Sequence, residues 1–156
     1  SGLLLAYDEQ GGMISFADQH ISTRFAEYRG PLHDGALSLL DICEIESIKL
    51  AVDQIHFYNR FVTPEGRPRR FDTRFFIAAA PESQIGIHDE QETVDSVWIN
   101  PHEALKKNDA KEFDLMRVTR MQLEWLAEHP SKSQLLKEVS DQTDFLVRRP
   151  WLNAPD

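Results

Sequence analysis

Two runs, His56 to Val62 and Phe71 to Ala80, are rich in Phe, Val, Ile, Tyr and Thr and are joined by Pro64-Glu65-Gly66-Arg67-Pro68. Aromatic and β-branched residues suit a pleated surface, and a Pro/Gly connector turns the chain, so the pair predicts a hairpin or two neighbouring strands. Strand side chains alternate, which puts Phe71, Thr73, Phe75 and Ile77 on one face and Asp72, Arg74 and Phe76 on the other. An apolar end on both faces predicts that the second run is an internal strand.

The flanking sequence reads as helical. Asp8 to Gly12 predicts a turn; Phe16, Ile21, Phe25 and Tyr28 then fall near helical spacing behind Ser15 as N-cap, with Gly30-Pro31 as the stop. A second short helix is expected from Leu37 to Ile48, with Cys43 in its apolar pattern as a buried structural thiol rather than a nucleophile. Beyond the hairpin comes a polar, acidic loop, Ser83 to Glu92. A short strand through Val94 to Ile99 then runs into a helix capped by Asn100, with Pro101 in its first turn. Met116 to Ala127 predicts a helix burying Met116, Leu123 and Leu126; Ser131 to Val139 starts another, and 148–156 is a draped tail. At 156 residues the chain is the size of a single domain, with a mainly helical part at 1–55, sheet and acidic loop at 56–110, and helices at 111–147.

Charge limits the partners. With a formal net charge of -9, the chain lacks the basic surface that phosphate backbones require, so no nucleic-acid partner is expected. The single Cys43 forms no internal disulfide, which suits a reducing compartment, and the cytoplasm is the expected location. No apolar run approaches the roughly 20 residues of a membrane span, and Ser1 to Ala6 lacks the basic flank and length of a signal peptide. Against this acidic background Arg60, Arg67, Arg69, Arg70 and Arg74 crowd the hairpin, opposed there only by Glu65 and Asp72. A guanidinium binds phosphate oxygens through a planar fork, so the cluster suits a diphosphate; the competing reading is that these arginines pair with surplus surface carboxylates. His88-Asp89-Glu90-Gln91-Glu92 offers oxygen ligands for Mg²⁺ or a general base, or is a solvated loop with no task. There is no H-E-x-x-H spacing, no Gly-rich phosphate loop and no Ser nucleophile elbow.

The run from Arg60 through Thr63-Pro64 and Pro68-Arg69-Arg70-Phe71-Asp72-Thr73-Arg74-Phe75-Phe76 to Ala78 resembles a signature of one branch of the Nudix hydrolases, which includes the peroxisomal coenzyme A diphosphatase of mammals and bacterial relatives. Glu92-Thr93-Val94, Trp98-Ile99, Pro101-His102-Glu103-Ala104-Leu105 and Thr119-Arg120-Met121-Gln122-Leu123 continue the similarity in order and spacing. Of the family's box, G-x5-E-x7-R-E-U-x-E-E-x-G-U, only the final x-G-U is matched, by Ser1-Gly2-Leu3. The expectation is therefore a C-terminal portion, with the box carboxylates upstream.

The resemblance implies an α/β/α sandwich with a mixed sheet, an α/β (α+β) fold lacking strands at its N-terminal side and carrying additional C-terminal helices. For the intact protein it implies hydrolysis of a nucleoside-diphosphate-linked small molecule, with coenzyme A or acyl-CoA as leading candidate and Mg²⁺ or Mn²⁺ as cofactor, while this chain alone is expected to be inactive. It places Glu92 as metal ligand or base with Glu90 as its alternate, Arg70 and Arg74 on substrate phosphate, and Arg69 and Arg60 beside them. Asp72 with Arg69 could instead brace the hairpin, and Phe71 and Phe75 belong to the core. A homodimer is the family-level expectation. The rival readings are a non-catalytic Nudix-derived binding or dimerisation module, and a plain interaction domain whose Arg70 and Arg74 are paired internally.

Overall fold

A computed structural model describes residues 3–84, 86, 96–143 and 147–148. They divide into two compact units, one of residues 1–54 and 79–97, the other of 55–78 and 98–156.

In the first unit, strand β1 (Ala6–Tyr7) pairs antiparallel with β2 (Lys49–Leu50), and Tyr7 also bridges Met13. The expected turn at Asp8 forms because its Oδ1 accepts the N–H groups of Gln10 (3.0 Å) and Gly12 (2.8 Å), with Gly11 at φ 80° where a side chain would be strained. Helix α1 (Gln19–Glu27) starts later than the sequence predicts. Asp18, not Ser15, caps it, accepting the His20 N–H at 2.8 Å, while the Ser15 hydroxyl turns to the hydroxyl of Ser83 at 3.0 Å. Gly30-Pro31 does not stop the helical path either. A short helix α2 (Arg29–His33) runs through it, with Pro31 in the first turn, where backbone N–H groups have no intrahelical acceptor to lose.

Helix α3 (Leu39–Ile45) begins at a capping box: Ser38 accepts the Asp41 N–H (3.1 Å) and Asp41 accepts the Ser38 N–H (2.7 Å). Ala6, Ile14, Phe25 and Ile42 form the core, flanked by Leu4, Phe16, Ile21, Tyr28, Leu37 and Ile48. Of α3 only Ile42 is buried, and Leu40 is exposed. Gln84, 6% exposed, closes this unit by imitating a strand: Oε1 accepts the Leu4 N–H (2.8 Å), and Nε2 donates to the Leu4 (2.9 Å) and Ile14 (3.3 Å) carbonyls.

In the second unit β3 (His56–Val62) and β4 (Asp72–Ile77) form the expected antiparallel hairpin. Residues 147–148, expected in part as tail, form β5 (Val147–Arg148), which pairs parallel to β3, so the strand order is β4-β3-β5. Among the described residues β3, not β4, is therefore internal, because the strand that completes the sheet comes from the far end of the chain. The predicted strand at 94–99 falls partly outside the described residues; 96–99 are irregular, and Trp98 is exposed.

Helix α4 (Pro101–Asp109) starts as predicted, with Asn100 accepting the His102 N–H at 2.9 Å and Pro101 following. Helix α5 (Arg117–Ala127) packs on α4, and α6 (Lys132–Asp141), capped by Ser131, packs on β3. Met116 lies just before α5 and is 78% exposed, whereas the buried α5 residue is Gln122. Its Oε1 accepts the Tyr58 hydroxyl at 2.9 Å, while its buried Nε2 has no hydrogen-bond partner among the described residues. Arg120 fastens α5 to the end of α4, donating to Asn108 Oδ1 (2.6 Å) and Asp109 Oδ1 (2.7 Å) from Nη1.

Ile42 is 2% exposed and Leu40 68%. Ile42→Ala is expected to cost roughly 2–5 kcal/mol of unfolding free energy in a urea titration, and Leu40→Ala within about 0.5 kcal/mol; equal losses would show that α3 buries a different face.

Candidate functional site

The register of the hairpin decides where its arginines stand. Phe61 pairs with Thr73 and Asn59 with Phe75, while Arg60 pairs with Arg74 and Val62 with Asp72. Side chains of directly paired residues share a face. Phe61 (3% exposed) and Asn59 (5%) mark the inner face, where Tyr58 stacks on Trp125 with ring centroids 4.9 Å apart and Phe75 meets Phe61 edge-on at 5.4 Å. Arg60, Asp72 and Arg74 are thereby collected on the opposite face. The irregularity between Phe57 and Asn59 brings Phe57 against Phe76, at 5.5 Å, farther along the hairpin.

On that face Arg60 is committed. Its Nε donates to Asp72 Oδ1 at 2.7 Å and its Nη2 to Oδ2 at 2.5 Å, a two-point fork. The hairpin brace expected between Asp72 and Arg69 is therefore formed by Arg60, the diagonal neighbour across the strands. Arg60 faces a carboxylate rather than standing free for phosphate. The Arg60 fork holds the Asp72 carboxyl below the usual carboxylate range, and the Arg74 charge adds to the effect.

The other arginines differ among themselves. Arg70 Nε donates to the Thr63 carbonyl at 3.0 Å, while Thr63 also joins Phe71 through its N–H (2.9 Å, to the Phe71 carbonyl) and its Oγ1 (3.1 Å, from the Phe71 N–H). These bonds close the base of the connection, which turns at Gly66 with φ 86°. Arg69 and Arg74 are exposed and make no ion pair among the described residues. Phe75 lies among core aromatics as expected. Phe71 does not: it is 65% exposed and lies just before the first residue of β4.

Glu90 and Glu92 lie outside the described residues. Among the described residues no three His, Cys, Asp or Glu side chains come together to hold a metal ion, so these residues do not by themselves fit Mg²⁺ or Mn²⁺. Cys43 is half-buried, and burial pushes its thiol up, the opposite of an activated nucleophile. No helix among the described residues is long and apolar enough to cross a membrane.

No protein-family model and no curated protein matches the sequence. A solved structure, a Nudix hydrolase from Alicyclobacillus acidocaldarius, matches with a TM-score of 0.63 at 20% sequence identity, covering 86% of this chain and 58% of that one. At this identity the likeness establishes the fold: the chain has a mixed α/β, Nudix-like fold and spans somewhat more than half the length of that neighbour. The class of fold implied by the resemblance in 56–127 is thus shown, and the chemistry is argued from the site.

Because the folded Asp72 carboxyl titrates below its unfolded value, the pair's contribution to stability is complete above the unfolded carboxyl pKa, about 3.9, and is lost as pH falls through the folded value. Following the Asp72 carboxyl by NMR should give a midpoint below the usual range that rises in Arg60→Gln. A low midpoint surviving that substitution would assign the shift to another group.

Proposed function

We propose that this chain is part of a Nudix-type pyrophosphohydrolase whose intact form cleaves the diphosphate of a nucleoside-linked small molecule, with coenzyme A or an acyl-CoA as the leading substrate. The observation that carries the reading is the pair of exposed arginines, Arg69 and Arg74, on a hairpin whose partner arginine is already neutralised by Asp72. A guanidinium with no carboxylate opposite it retains its full attraction for phosphate oxygens. The Nudix-like fold and the similarity of residues 60–78 to the coenzyme A diphosphatase branch support the same assignment.

In this reading Arg69 and Arg74 contact the substrate phosphates, Arg70 supports the connection and reaches toward them with the guanidinium nitrogens left over from Thr63, and Arg60 orders the face. Glu92, with Glu90 as alternate, contributes a carboxylate, and box carboxylates upstream of Leu3 complete the set for Mg²⁺ or Mn²⁺. A cytoplasmic homodimer is the assembly proposed with it. The alternative reading is a non-catalytic Nudix-derived binding or dimerisation module.

The test is Mg²⁺-dependent hydrolysis of coenzyme A by this chain, beside the same chain extended upstream through the box. Activity in the extended form alone supports the hydrolase, and silence in both together with retained binding of coenzyme A supports the module. In the active form, Arg69→Gln or Arg74→Gln should each raise KM roughly tenfold, the equivalent of one charge-assisted hydrogen bond of about 1.5 kcal/mol, while Arg60→Gln changes it less. Glu92→Gln should lower turnover without lowering the melting temperature; unchanged turnover removes Glu92 from the mechanism.

A further inference from the structure

The hairpin face that carries Arg60, Asp72 and Arg74 also carries an aromatic ring. Phe76 stands two residues past Arg74 on β4, and alternate residues of a strand share a face. Phe76 is 56% exposed, whereas Phe75 before it turns into the aromatic core against Phe61. A single exposed phenylalanine is ordinary on a protein surface. Its neighbours set this one apart.

The first neighbour is a support. The irregularity between Phe57 and Asn59 brings Phe57 against Phe76, with ring centroids 5.5 Å apart and planes tilted by 55°. The contact restrains the Phe76 ring while more than half of the residue stays open to solvent. A planar side chain held in this way loses little freedom when a second planar group settles on it.

The second neighbour is a cation. Asp72 is taken by the fork from Arg60, and Arg74 makes no ion pair among the described residues. Arg74 is not spent on the ring either: the cation–π contacts among the described residues are Arg24 on Phe25 and Lys107 on Phe113. Two residues along a strand span about 6.7 Å. A ligand that satisfies both groups carries an anion and a flat ring at about the separation that one sugar provides, which is the layout of a nucleoside 5′-phosphate. A bare phosphate would use Arg74 alone, and an aliphatic chain would gain nothing from the planarity of the ring.

We propose that Phe76 is the platform on which the purine base of the substrate stacks, while Arg74 holds the phosphate next to its sugar. Phe76 then makes the hairpin selective for a nucleotide over a bare diphosphate. The inference rests on the reading of the hairpin as a phosphate site. Base stacking on an aromatic side chain works through the π-face that every base has, so it adds affinity without further hydrogen bonds.

NMR titration of the whole chain with ADP and with inorganic pyrophosphate, which share the diphosphate and differ in the nucleoside, tests it through the side-chain resonances of Arg74 and Phe76. ADP is expected to bind about tenfold more tightly than pyrophosphate, within the range of one stacked base, and to give nuclear Overhauser contacts from its adenine protons to the Phe76 ring. Phe76→Leu should bring ADP down to the affinity of pyrophosphate and leave pyrophosphate unchanged; Phe76→Trp should keep the preference, and Arg74→Gln should weaken both ligands. Pyrophosphate shifting Arg74 while ADP binds no more tightly, makes no Overhauser contact, or keeps its affinity in Phe76→Leu overturns the platform and leaves the phosphate site standing. No shift of Arg74 with either ligand overturns both together. Far-UV circular dichroism checks that Phe76→Leu folds; should it not, the Overhauser contacts in the unaltered chain decide.

Discussion

The burial of one face of β3 is the constraint on which the hairpin and its chemistry depend. A slip of one residue in strand pairing sends every side chain to the opposite face. Here such a slip would expose Phe61, break the stack of Tyr58 on Trp125, and carry Arg60 into the interior without its carboxylate. A buried, unpaired guanidinium is among the costliest changes a fold can suffer. The register is therefore enforced from both sides, by what must be inside and by what must stay out, and the basic face is its consequence.

Within that face Arg60 holds the hairpin together, which leaves the phosphate contacts of the proposed function to the other arginines. Arg60 and Asp72 are both partly solvated, so their fork adds little net stability. Its value is geometric: it fixes two side chains on neighbouring strands and neutralises the carboxylate nearest to Arg74. Were Asp72 unpaired, it would repel an incoming phosphate and compete for Arg74. Thr63 acts similarly at the connection, where three hydrogen bonds tie it to Arg70 and Phe71 and limit the arc through which the neighbouring Arg69 can swing. Binding groups that are held before the ligand arrives lose less entropy when it does.

The residues whose environment is local were legible in the sequence. Asn100 with Pro101 gave its helix start, the Asp8 turn formed, and the alternation in 71–77 assigned the two faces of β4. The errors came from long-range contacts. Ser15 was a reasonable cap, but Ser83 takes its hydroxyl from 68 residues away. Hydrophobicity points inward for Met116 and outward for Gln122, yet Met116 is exposed and Gln122 buried, its Oε1 taking the hydroxyl of Tyr58 from another element. The place of β4 at the edge depended on β5, whose pairing is parallel and so has no local turn signal. At the candidate site the residue types were visible as a cluster of five arginines, but which of them would be spent on Asp72 was not. That choice is set by the diagonal geometry of the hairpin, and Arg69 and Arg60 are indistinguishable by composition.

The local basic face also bears on ligand size. Charges separated by more than the screening length, about 8 Å at physiological salt, scarcely feel one another when exposed. A diphosphate, the ligand of the proposed function, is smaller than this and can lie within the field of a single exposed guanidinium such as that of Arg74. A polyanion several times longer would extend from the hairpin onto a surface dominated by the chain's excess of carboxylates, and each further phosphate would meet repulsion instead of a counterion to replace. Under the proposed function, this net charge with its local reversal would discriminate by length before any specific contact forms, in favour of a small phosphorylated metabolite over nucleic acid.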